Sequence, residues 1–60
     1  MKTRKRIKLR RQEVGLAQWQ VAKRIGFTRS AYANLENGHR RLSSEHLRKI
    51  GRVLHSNFDG

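Results

Sequence analysis

The sequence predicts an all-α fold, four or five short helices packed around one small core, on three observations. Apolar residues recur at helical spacing along most of the chain, two of the helical patterns are separated by only three residues, and 60 residues make a single small domain. There is no cysteine and no zinc ligand set, so neither disulfides nor a structural zinc staples the fold. A chain this short buries only about 60% of its unfolded surface, which makes its stability depend on dense helix packing.

The first helix is expected over about residues 4–14, where Ile7, Arg11 and Val14 share a face at i, i+4 and i+7. The next two helices come from the segment between Gln18 and Gly38. Val21, Ala22 and Ile25 line one face of a short helix, and Tyr32 and Leu35 face the same core from the one after it. Gly26, Phe27 and Thr28 are all that separates them. A link so short makes the helices cross at about 90–120°, and Ala22 supplies the small residue that a close crossing requires. Gly26 sits where a left-handed residue ends a helix at least cost. The Thr28 hydroxyl can accept from the N–H of Ser30 or Ala31, which makes it the N-cap of a helix over about residues 29–37. The fourth helix begins at Ser43 or Ser44, either able to cap it, with Glu45 placed against the positive helix end. Its buried stripe is Leu47, Ile50, Gly51 and Leu54, and Gly51 costs up to about 1 kcal/mol there unless close packing requires it. A fifth helix begins at Asn57 and ends almost at once.

Fifteen Lys and Arg against four Asp and Glu give a net charge of +11. Such an excess opposes folding through self-repulsion and calls for a polyanionic partner. Lys2, Arg4, Lys5, Arg6, Lys8, Arg10 and Arg11 concentrate it near the start. Residues 1–6 read as a basic arm ahead of a domain at 7–60. Two forms stay open for that arm: a solvated tail, or a segment laid along a DNA backbone or minor groove. No apolar run approaches membrane-spanning length, and no hydrophobic segment follows the basic start. The expectation is therefore a protein without a membrane span or signal peptide, located in the cytoplasm. His39, His46 and His55 are dispersed, and no nucleophile, dyad or metal cluster is visible. The chain reads as a binding module, not an enzyme, with no cofactor, metal or small-molecule ligand.

Arg11, the run Gly15-Leu16-Ala17-Gln18, the ordered series Ala22, Gly26, Tyr32 and Leu35, and the run Leu35-Glu36-Asn37-Gly38-His39-Arg40 together carry a resemblance. Over roughly residues 5–59 the chain resembles the lambda-repressor-like DNA-binding domain shared by the lambdoid phage Cro and repressor proteins and by Xre-type bacterial regulators. The resemblance implies a helix-turn-helix over about residues 18–37 whose second helix enters the major groove of double-stranded DNA. Thr28, Arg29, Ser30, Ala33 and Asn34 are then base-proximal. Arg29 can pair with guanine O6 and N7, Asn34 with adenine N6 and N7, and Ala33 offers only a methyl to thymine. The other reading of Arg29 is a phosphate contact. Gln18, Asn37, the Gly38 backbone, His39, Arg40 and Arg41 are the implied phosphate contacts.

The same resemblance implies a buried or half-buried ion pair between Arg11 and Glu36. The alternative for Arg11 is one more solvated, phosphate-attracting arginine. Several residues depart from the family pattern. Ala17 stands where Ser or Thr caps the second helix, Leu42 where proline is common, Arg10 where the residue is often apolar and Leu9 where it is often polar. Tyr32 replaces an aliphatic core residue, and its hydroxyl needs a partner or a solvent outlet. Trp19 has three readings: cover for helix 1, a place near a phosphate, or a contact with another protein. The function implied is a sequence-specific transcription regulator, a repressor occupying an operator as a homodimer with half-sites about 34–36 Å apart, formed in solution or only on DNA. The alternative is an antitoxin or accessory factor that binds DNA with this fold and a protein partner through a surface around Trp19 and Phe58.

Overall fold

A computed structural model describes residues 2–58 of the chain as four helices: α1 Thr3–Val14, α2 Gln18–Arg24, α3 Arg29–Asn37 and α4 Ser44–Leu54. Met1 of the expected arm, and Asp59 and Gly60 at the expected domain end, lie outside the described residues. Ile7, Val21, Ala22, Ile25, Tyr32, Leu35, Ile50, Leu54 and Phe58 form one core, and Leu16, Phe27, Leu42, Leu47 and Val53 pack against it half-buried.

The local chemistry that starts and stops each helix is visible. Gly15 ends α1 with φ 84°, its N–H donating to the carbonyls of Arg11 and Gln12. Ala17 gives α2 no side-chain cap, but the Gln20 side chain accepts from the Ala17 N–H at 2.7 Å and supplies half of a capping box. Gly26 turns the chain out of α2 with φ 78°, and Phe27 N–H then returns to the Ala22 carbonyl at 2.8 Å. Thr28 caps α3 by accepting from Ala31 N–H at 3.1 Å. Ser43 caps α4, accepting from His46 N–H at 3.3 Å while His46 Nδ1 accepts from Ser43 N–H at 3.2 Å.

Three expectations are corrected. The buried residues of α1 are Ile7 and Arg11, with Arg4 half-buried one turn earlier, and Val14 is 37% exposed. The reason is the glycine turn at position 15, which lets Leu16 and not Val14 cover the core. There is no fifth helix among the described residues, because His55 takes a left-handed conformation (φ 52°) and sends Ser56 N–H back to the Gly51 carbonyl at 3.0 Å. That turn delivers Phe58 into the core at 6% exposure, so Phe58 is not a surface anchor. It also explains Gly51: a Cβ there would lie 2.5 Å from the Ser56 carbonyl oxygen, so close packing requires the glycine.

Candidate nucleic-acid interface

Tyr32, Leu35 and Glu36 bury the inner side of α3, which leaves Arg29, Ser30, Asn34 and Asn37 exposed and Ala33 half-buried on the outer side. These outward positions recur at three- and four-residue spacing and so form one stripe. The Thr28 hydroxyl oxygen is engaged as the helix cap and retains its O–H as a donor. Arg29 makes no ion pair among the described residues, so its guanidinium is available to a ligand.

Behind the stripe, Arg11 Nε and Nη2 donate to the two carboxylate oxygens of Glu36, each at 2.9 Å, and Arg11 Nη1 donates to the Leu16 carbonyl at 2.8 Å. Both residues are buried, at 8% and 7% exposure. This two-point pair fixes α1 against the end of α3. The hydrogen bond to Glu36 is the main reason the Arg11 pKa is raised, against the opposing effect of burial. For Glu36, burial pulls the pKa upward, but donation from Arg11, with smaller effects of the nearby Tyr32 hydroxyl and of Gln18, leaves it below the ordinary carboxylate value. Gln18 Nε2 donates to Glu36 Oε1 at 3.3 Å, so the expected phosphate-contacting glutamine is tied to the same pair. The Tyr32 hydroxyl found neither expected outlet. It is buried beside the pair without a well-formed hydrogen bond, and burial, aided by the neighbouring Glu36 carboxylate, pushes the phenol pKa up.

The loop after α3 starts at Gly38, whose φ of 90° a side chain would oppose. The N–H groups of Gly38, His39 and Arg40 all turn back to the Asn34 carbonyl, the last two at 2.9 and 3.2 Å. The Gly38 N–H is thus already engaged inside the protein. The Arg41 and Leu42 N–H groups donate to nothing among the described residues. The Arg40 guanidinium lies 5.3 Å over the Phe27 ring, and Phe27 meets His46 edge-on at 5.2 Å. The loop is thereby packed on the turn between α2 and α3, while His39 and Arg41 remain exposed.

Sequence reasoning missed the arginines that hold this arrangement. Arg4 Nη1 donates to the Leu35 carbonyl and, at 3.0 Å, to the Arg40 carbonyl, bridging α3 and the loop. Arg10 Nε donates to the Leu54 carbonyl at 2.8 Å, which is why a position expected to be apolar carries an arginine. Arg6 reaches the Asn57 carbonyl at 3.5 Å and lies 5.7 Å from the Phe58 ring centroid. The segment counted with the basic arm is therefore helical from Thr3 and contacts the domain through Arg4 and Arg6. The available signal was that Arg4, Ile7 and Arg11 share one helical face.

Among the described residues no cluster of His, Cys, Asp or Glu is placed to hold a metal ion, and no helix is long and apolar enough to cross a membrane. Residues 7–60 match the family model described as Helix-turn-helix. No curated protein and no solved structure matches the chain.

Proposed function

The chain belongs to the helix-turn-helix family of Cro- and repressor-type, Xre-like DNA-binding domains, and on that premise we propose that it is a sequence-specific repressor that occupies an operator. The observation that carries this reading is the outward stripe of α3, where Arg29, Ser30 and Asn34 stand exposed on a helix held from behind by the Arg11–Glu36 pair. In this reading α3 lies in the major groove, Arg29 reads guanine and Asn34 reads adenine, with Thr28 and Ser30 as neighbouring donors and acceptors. Gln18, His39, Arg40, Arg41 and the free N–H groups after Arg40 set the register on the phosphates, and Asn37 borders them. The protein acts in the cytoplasm, as a homodimer on a two-fold symmetric site.

Selection from random duplex DNA at two salt concentrations tests the reading. The expected result is an enriched symmetric sequence, and enrichment of none would overturn it. On the selected site, Arg29→Ala should relax preference at one base position, at a cost of ~1–3 kcal/mol. An equal loss on every sequence would reassign Arg29 to phosphate. Trp19, at 52% exposure, keeps the protein-partner alternative alive, whereas Phe58 no longer supports it.

A further inference from the structure

Lys2, Lys5 and Lys8 line one wall of a groove whose other wall is the end of α3, at Asn37 and Gly38. Lys5 and Lys8 lie one turn apart on α1, Lys2 is its N-cap residue, and all three are exposed. None has an ion-pair partner among the described residues. The acidic residues there are already engaged: Glu13 with Arg10, Glu36 with Arg11 and Glu45 with Lys49. The neighbouring Arg4 also borders the groove, but its guanidinium turns inward to main-chain carbonyls. Glu36 reaches the groove as a carboxylate neutralised by Arg11. What remains facing outward is a row of uncompensated ammonium groups.

The spacing of that row matches a particular polyanion. At a rise of about 1.5 Å per residue, Lys2 and Lys8 stand ~9 Å apart along α1. A DNA strand advances ~3.4 Å per phosphate, so flexible lysines on this row can reach about two or three phosphates in succession. Ammonium groups act there as point charges indifferent to base sequence. The wall at Asn37 and Gly38 is where the loop proposed to hold the operator backbone begins. We propose that this groove is a phosphate track that takes the sugar-phosphate backbone flanking the base-reading site, extending the protein's hold on DNA beyond the contacts of α3. This rests on the operator-binding reading above.

The test compares the full chain with its Lys5→Gln, Lys8→Gln double variant. Both substitutions are at exposed positions, and a thermal melt checks that the variant folds. Affinity is measured against salt on a duplex of about 30 base pairs, on the same duplex trimmed to the selected core, and on a random-sequence duplex of the longer length. Two lost phosphate contacts should lower the slope of log affinity against log salt by about 1.8 on the long duplexes, roughly a twelvefold difference between about 50 and 200 mM salt. On the trimmed duplex the slope should scarcely change. An unchanged slope on the long duplexes overturns the proposal, as does an equal loss on long and trimmed ones. Loss of binding to polyglutamate with the DNA slope intact would assign the groove to acidic protein and also overturn it. If selection enriches no sequence, the operator reading fails, while the random-sequence duplex still decides the groove.

Discussion

Arg11→Met keeps the length and much of the apolar stem of the side chain while removing every donor from its end. The Glu36 carboxylate, 7% exposed, would lose both 2.9 Å hydrogen bonds and keep the 3.3 Å contact to Gln18. Breaking a buried pair by removing one partner costs about 3–5 kcal/mol, because the other charge is left desolvated. A domain of 60 residues at roughly 0.05–0.15 kcal/mol per residue has a total stability of about 3–9 kcal/mol. The substitution therefore removes about a third or more of the stability, and urea titration followed by far-ultraviolet circular dichroism should show a midpoint shifted strongly toward lower denaturant. The double variant Arg11→Met, Glu36→Leu leaves no orphaned charge and should recover to within about 2 kcal/mol of the wild type. A midpoint shift worth less than about 1 kcal/mol in Arg11→Met would refute the reasoning, since it would mean that Glu36 is hydrated despite its burial. Acid provides an independent check. The Glu36 pKa is lower in the folded protein than its ordinary 4.5, so its contribution is full above the unfolded value and is lost as pH falls through the folded one. Wild-type stability should fall below about pH 4, and Glu36→Gln should flatten that acid limb.

Two further substitutions probe the core by sign. Helix propensity alone says that Gly51→Ala gains about 1 kcal/mol. With the Ser56 carbonyl oxygen 2.5 Å from the new Cβ, a lower melting temperature is expected instead, and a higher one would show that the turn after α4 yields easily. Tyr32→Phe removes a buried hydroxyl that makes no well-formed hydrogen bond, so its stability should be unchanged or higher by on the order of 1 kcal/mol. A loss beyond about 1 kcal/mol on urea titration would show that the hydroxyl is bonded to Glu36 in solution.

Periodicity and end signals carried the fold where they act locally. Thr28 and Ser43 cap their helices, and Gly26 turns the chain after α2, because each needs only its own hydroxyl or its missing Cβ. The α3 stripe was legible for a similar reason: the buried positions Tyr32, Leu35 and Glu36 decide which side is left. Long-range contacts were not legible. Nothing near Arg4 in sequence says that its guanidinium ends on carbonyls 31 and 36 residues away, or that Arg10 finds the last carbonyl of α4. Phe58 was misplaced for the same reason. Its burial depends on the left-handed turn at His55, a conformation that side chains rarely adopt and that sequence pattern did not signal.

The excess charge divides by what each cation touches. Arg4 and Arg10 donate to carbonyls at or near the ends of α3 and α4, and Arg11 donates both to Glu36 and to the Leu16 carbonyl. Cations at helix C-termini contribute ~0.3–1 kcal/mol each, more where they are partly buried, so these arginines offset part of the self-repulsion that their own charge creates. Those donations hold the guanidinium groups of Arg4 and Arg10 against the protein, and Arg11 is buried with Glu36. Lys2, Lys5, Lys8, Arg29 and Arg41 lack such partners among the described residues. If charge count alone governed DNA affinity, neutralising Arg4 and neutralising Lys5 would lower the salt slope equally, by about 0.9 each. The division of roles requires a different outcome. Arg4→Gln should loosen the loop at Arg40 and weaken DNA binding at all salt concentrations with little change in slope, whereas Lys5→Gln should lower the slope and leave the melting temperature alone.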